Sequence, residues 1–365
     1  GLEGLEGLEG LEGLEGLDSL VIGFMQKNNA LILVTGGTGF IGSYLIRLLV
    51  KNGYRVRALR RAGSPMVLVR EVADLVDWVE ADVTDIVALE DAFAGVTHVC
   101  HCAAMVSFHP RDVERMMNIN VEGTANIVNL CLHFGVQKLV HVSSIAAFGR
   151  SKTRPNLDEN CKWIQSKGNS RYAISKYQSE QEVWRGDAEG LPVAVVNPSV
   201  VLGSGFWNLG SGRIFKQLYD GLKFWSVGRT GFVDVRDVAQ FMLLLLESDI
   251  KGERYILNAQ NLPFRELFFM AADAIGAKRP FIRVTPLLAQ VAWRVEWLKE
   301  KITGAEPVVT KESATASVSS FYYANAKSLT VPGFSYRPLE QTVQETGAQF
   351  LEAVKDGFGA RVLPL

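Results

Sequence analysis

The chain has 365 residues, 48% hydrophobic and 21% charged, enough to bury a full core in one large domain or one domain with a smaller appendage. With 38 basic against 39 acidic residues the formal net charge is -1, so no global field draws in nucleic acid or an anionic membrane, and small molecules or other proteins are the expected partners. Cys100, Cys102, Cys131 and Cys161 show no metal-type spacing, which predicts reduced cysteines in a cytoplasmic protein.

Residues 1–18 repeat Gly-Leu-Glu almost perfectly, without the proline of a collagen triplet or the heptad of a coiled coil. A disordered extension over 1–24, upstream of a natural start at Met25, is the expectation. From Ala30 to about Asn197, short β-branched runs alternate with amphipathic segments, the mark of βαβ units and a parallel sheet. The pattern predicts strands at 31–35, 55–59, 76–80, 97–102, 138–142 and 192–196, with helices at 41–51, 85–93, 112–134 and 172–186. The expected fold class is α/β, a Rossmann doubly wound parallel sheet, with residues 25–200 mainly binding a dinucleotide. Beyond Pro198 the glycine-broken pattern predicts a smaller substrate-binding region over 201–365 that returns some segments to the Rossmann core, with helices near 236–248 and 264–275. No uncharged run approaches the roughly 20 residues that span a bilayer, and Pro286 to Trp297 reads as a buried helix capping the core, with a membrane-resting surface for Leu287-Leu288 and Trp293 as the alternative.

The first chemical signal is Gly36-Gly37-Thr38-Gly39-Phe40-Ile41-Gly42, which follows a strand and opens a helix. Its glycines let the backbone turn tightly and approach a pyrophosphate attracted by the helix N-terminus. About 20 positions on, where an NAD-selective site usually carries an acid, stand Arg60 and Arg61, whose guanidinium groups suit a 2′-phosphate and favour NADP over NAD. A solvated strand end is the plainer explanation of the two arginines. Asp82 and Val83 follow the third strand and border the adenine, unless Asp82 simply caps a helix.

Tyr172 and Lys176 are four residues apart, hence on one face of a helix, where a nearby ammonium would stabilise a phenolate and lower the tyrosine pKa. Ser143-Ser144 ends the fifth strand at the carboxyl edge of the sheet, where open α/β folds place ligands. Phe206, Trp207, Phe224, Trp225 and Phe232 are candidates for the wall of an apolar pocket or for core. The histidines at 98, 101, 109, 133 and 141 form no metal set, and no metal is expected.

These motifs, together with His101-Cys102-Ala103-Ala104, Asn120-Val121-Glu122-Gly123-Thr124, Asn197-Pro198-Ser199 and Phe232-Val233-Asp234-Val235-Arg236-Asp237-Val238-Ala239, resemble the extended short-chain dehydrogenase/reductases, the NAD-dependent epimerase/dehydratase family. The resemblance runs from about residue 30 to about 350. It implies that Ser144, five residues before the glycine of Phe148-Gly149, polarises a carbonyl, that Tyr172 passes the proton, and that Lys176 holds the nicotinamide ribose. It further implies that Ala103 and Ala104 line the cofactor, that Pro198, Ser199 and Val200 lie near the nicotinamide, and that Asn120 supports the site. Arg57-Ala58-Leu59-Arg60-Arg61 and Val106-Ser107-Phe108 are most similar to the dihydroflavonol reductase and 3β-hydroxysteroid dehydrogenase branches. The expected activity is hydride transfer between NADP or NAD and a small-molecule carbonyl or alcohol. The alternatives are a nucleotide-sugar epimerase or dehydratase working by transient oxidation, and a non-catalytic cofactor-binding sensor. By the same resemblance, helices 112–134 and 172–186 would form the seam of a homodimer.

Overall fold

The computed structural model describes residues 30–149, 155–304, 307 and 309–365; the Gly-Leu-Glu repeat and Met25 lie outside the described residues. Seven strands form one wholly parallel sheet: β1 (Leu31–Thr35), β2 (Arg55–Arg60), β3 (Val76–Glu80), β4 (His98–His101), β5 (Lys138–Val142), β6 (Val193–Pro198) and β7 (Glu253–Leu257). Their order is β7-β6-β5-β4-β1-β2-β3. The chain therefore leaves β1 in one direction for β2 and β3 and returns on its other side for β4, opening a crevice at the carboxyl ends of β1 and β4. Strands β1 and β5 are buried at every residue; β1 accordingly reads as an almost continuous apolar run, while β5 also buries Lys138 and His141. Strand β7 lies outside the six-strand expectation. Its sequence Glu-Arg-Tyr-Ile-Leu begins exposed at the sheet edge and becomes buried only over its last three residues, so it carries little apolar signal.

Residues of β1 alternate between the two faces. Ile32 and Val34 pack on α1 (Phe40–Lys51), while Leu31 and Leu33 pack under α2 (Ile86–Phe93). The helix expected over 112–134 is broken into α3 (Val113–Met117), a π-helical turn over Asn118–Glu122, and α4 (Gly123–His133). Next on that face comes α5 (Arg171–Ala188), capped by the Ser170 side chain on the Ala173 amide. After α6 (Gly212–Tyr219), α7 (Val235–Glu247) lies on the first face, where Val238, Phe241, Met242 and Leu245 meet Leu45 and Leu48 of α1.

A separate core gathers Leu202, Trp207, Phe215, Phe232 and Leu262 with α8 (Phe264–Ala274) and α11 (Leu339–Lys355). Trp207 and Phe232 are therefore core, and Phe224 is about half exposed, so the five aromatics do not assemble into one pocket wall. Between α8 and α11 lie α9 (Pro286–Thr303) and α10 (Lys311–Val318). The helix starting at Pro286 forms, but it is not a buried cap: Ala289 is its one buried residue. No described helix is long and apolar enough to cross a membrane.

Candidate active site

The turn after β1 is built for close approach. Gly36 has a φ of +66°, and a Cβ there would lie 2.8 Å from the Ala103 amide nitrogen, so the turn abuts the chain leaving β4. A Cβ at Gly42 would lie 2.3 Å from the Gly36 carbonyl oxygen, and one at Gly37 would lie 2.8 Å from Ile46. Thr35 Oγ1 fixes the neighbouring segment by accepting from the amides of Cys102 and Ala103, each at 3.1 Å. Gly39 is exposed at the start of α1 and supplies no side-chain cap, while Phe40 packs its ring over Gly205. Thr38 and Ile41 are part-exposed at the same turn, and beyond β4 Ala103 is part-exposed and Ala104 exposed.

A cavity of about 640 Å³ opens beyond the ends of β2 and β3, lined in part by Arg61, Ser64, Glu80, Asp82 and Arg115. Arg60 ends β2, and its carbonyl accepts from the Ala81 amide. Asp82 Oδ1 is taken by the amide and hydroxyl of Thr84 at 3.0 and 2.8 Å, and Asp85 caps α2 through the Ala88 amide. Val83 is buried beside them against Gly123. The glycine cradle, the uncapped helix start and this cavity fit an extended dinucleotide. Ser64 and Arg115 were not singled out in the sequence, because nothing local ties α3 to the ends of β2 and β3.

The candidate reactive groups stand at the carboxyl end of β5. The Ser144 hydroxyl faces the Tyr172 phenol and favours its ionised form, and Ser144 Oγ accepts from the Ala146 amide at 3.1 Å. Ser143 turns the other way and donates to Glu180 at 2.6 Å. The Phe108 ring meets Tyr172 edge-on at 5.9 Å. Lys176 is 2% exposed and donates to the Val142 carbonyl at 2.8 Å. Burial brings its ammonium down to about 8, opposed by the charge of Glu180 and then by Cys102. Tyr172 moves upward because burial outweighs the Ser144 hydrogen bond. The phenol is thus not lowered by Lys176 as the helical spacing predicts; the ammonium points at the β5 carbonyl instead.

Glu180, one turn beyond Lys176, is 2% exposed and fully occupied. Oε2 accepts from Ser143 at 2.6 Å and Asn197 Nδ2 at 2.8 Å; Oε1 accepts from Trp184 and Arg254, both at 3.1 Å. Asn197 also donates to the Ser144 carbonyl, and Arg254 holds the carbonyls of Glu159 and Cys161. Asn120, in the π-helical turn, bonds both backbone groups of Met105 and the Ser175 hydroxyl. Pro198 ends β6, Ser199 is buried with its amide on the Leu257 carbonyl, and Val200 is part-exposed opposite Phe232.

Among the described residues, no three His, Cys, Asp or Glu side chains converge as a metal site. Trp225 lines a different groove of about 580 Å³, with Arg265, Phe269, Arg279 and Arg283.

Comparison with known proteins agrees with this architecture. The sequence model of the NAD dependent epimerase/dehydratase family matches residues 32–258. A protein named putative dihydroflavonol 4-reductase from Synechocystis sp. is 30% identical over 86% of this chain and 92% of its own length. A 3-beta-hydroxysteroid dehydrogenase from Mycolicibacterium neoaurum is 25% identical over 91% of this chain and 93% of its own. Among solved structures, that of gox2253 superposes with a TM-score of 0.75 and 32% identity, covering 88% of this chain and 98% of the other.

Proposed function

The chain belongs to the NAD-dependent epimerase/dehydratase family, and on that premise we propose that Ser144, Tyr172 and Lys176 carry out an NADP-preferring reduction of a small-molecule ketone or aldehyde, or the reverse oxidation. The observation that carries this reading is the convergence of three groups at the carboxyl end of β5, where Ser144 faces the Tyr172 phenol and Lys176, one helical turn along α5, reaches the Val142 carbonyl. The glycine cradle Gly36 to Gly42, with Ala103 and Ala104, would hold the pyrophosphate half. Pro198, Ser199 and Val200 would flank the nicotinamide, and Lys176 would hold its ribose. When bound, the dinucleotide supplies the hydride.

The chain's own groups manage the oxygen and its proton. Ser144 donates a hydrogen bond to the substrate oxygen and stabilises the negative charge that develops there, while Tyr172 Oη gives up its proton to the same atom. Lys176, still largely charged at neutral pH, offsets the charge left on Tyr172 once it reaches that side. Asn120 ties the Met105 backbone to Ser175 on the helix that carries Tyr172 and Lys176. In the oxidation direction Tyr172 is the base.

The preference for NADP rests on Arg61 and Arg115 in the 640 Å³ cavity, where Asp82 and Asp85 already spend an oxygen each on local bonds. Arg60, beside them on β2, adds to the positive field. The region from 201 onward would select the substrate, and the four free cysteines are in keeping with a cytoplasmic location. A homodimer through α4 and α5 belongs to the same reading.

The test is titration of the purified protein with NADPH and NADH, followed by nicotinamide absorbance against ketones, aldehydes and nucleotide sugars. Net NADPH consumption with a ketone or aldehyde is the expected result. Conversion of a nucleotide sugar with no net cofactor consumption would move the assignment to an epimerase or dehydratase.

A further inference from the structure

Helix α9 is amphipathic the wrong way round for a core element. Leu287, Leu288, Val291, Val295, Leu298 and Ile302 are 77, 39, 50, 58, 53 and 75% exposed. At 3.6 residues per turn these six lie within an arc of about 100°, one continuous apolar stripe along a helix of about 27 Å. The charges are sorted about that stripe. On the same helical projection Arg294 and Lys301 border one side and Lys299 the other, all three exposed. The acids turn away: Glu300 reaches back to His109 at 3.0 Å, and Glu296 is only part-exposed and sits near Lys299 at 3.8 Å.

An apolar face bordered on both sides by cations, with acids against the protein body, is the arrangement of a helix lying in a lipid–water interface. The long cationic side chains lay their stems along the apolar stripe and lift their charges to headgroup level. A second copy of the chain fits less well. Pairing two such helices about a twofold axis would set the Arg294 and Lys301 flank against itself, like charge on like.

We propose that α9 docks the protein flat on a bilayer containing anionic lipid, without spanning it. The near-zero net charge of the whole chain hides this local cationic border. Because Glu300 is bonded to His109, four residues from Met105 in the segment that follows β4, the docked helix is tied to the rim of the candidate active site. The proposal itself does not depend on the reaction catalysed.

Co-sedimentation of the full chain with phosphatidylcholine vesicles, with and without phosphatidylglycerol, tests it. Binding to the anionic vesicles is expected, weakened by high salt, and reduced by about tenfold or more in a Val291→Glu/Leu298→Glu variant. Both positions are exposed, so the variant should keep the parent's circular dichroism and melting temperature. Absence of binding to anionic vesicles would overturn the proposal. So would a concentration-dependent dimer, seen by analytical ultracentrifugation and abolished by the same two substitutions, in a protein that leaves vesicles untouched.

Discussion

Glu180→Gln separates the charge of Glu180 from its place in the packing. In the parent, Lys176 is depressed by burial to about 8 and held up chiefly by Glu180. Residues four apart on a helix stand roughly 5–6 Å from each other, and at an effective dielectric of about 20 that attraction is roughly 3 kcal/mol, or about two pKa units. Arg254 shares the carboxylate, so a shift of about one unit is the conservative figure. The sign follows from the proposed reaction, in which Lys176 acts charged: its proton is lost as pH rises through its folded-state pKa, and removing Glu180 lowers that pKa. The alkaline limb of kcat/KM should therefore move from near 8 towards about 7. Other neighbours do not blur this window, since burial holds His101 near 3, puts His141 well below its ordinary value and pushes Cys102 to about 12. The amide also brings a donor to a site that receives four, at a cost to stability of about 1–3 kcal/mol measured by urea unfolding. An alkaline limb that stays near 8 in a folded variant that still binds cofactor would refute the coupling.

Four further outcomes follow from the same geometry. Tyr172→Phe should lower kcat by about 10²- to 10⁴-fold with NADPH affinity unchanged, as read by steady-state kinetics beside fluorescence titration. Arg61→Ala should weaken NADPH binding by about tenfold and barely alter NADH binding; equal losses for both would remove the 2′-phosphate argument. Gly42→Ala places a Cβ 2.3 Å from the Gly36 carbonyl oxygen, so calorimetry should show a lower Tm and cofactor affinity should fall with it. Asn120→Ala strips the Met105 amide and carbonyl of their partner and should lower stability by about 2–3 kcal/mol in urea, with kcat falling as the Met105 segment loosens.

How much of this was readable in the sequence depends on how local each cause is. The glycine turn was legible because its chemistry is contained within seven residues and the strand and helix that flank it. The Tyr172–Lys176 pair was legible as a shared helical face, but the direction of the Lys176 ammonium was set by the Val142 carbonyl on another element. Glu180 follows the same spacing and gave no signal, since an acid on a helix is ordinarily solvated. Its burial is decided by Asn197 and Arg254, which stand 17 and 74 residues away in the chain. In α9 the apolar period was visible; what it faces was not, because periodicity names a stripe without naming its neighbour.

The side of α5 that meets α4 shows why the candidate reactive groups can be held so firmly. Ser175 receives from Asn120, and Ser179 bonds Thr124 and the His141 ring at 3.0 and 3.3 Å. Thr124 also meets His101, whose other nitrogen reaches Thr35 beneath the glycine turn. Side chains from α4, α5, β4, β5 and the end of β1 are thus joined by directional bonds in a region where water does not compete. Apolar packing alone would tolerate small slips of α5 along its axis. These bonds do not, since each has a distance and an angle to satisfy. Tyr172, Lys176 and the glycine turn consequently share one frame, and a shift large enough to misplace the phenol would also break the contacts that seat the turn.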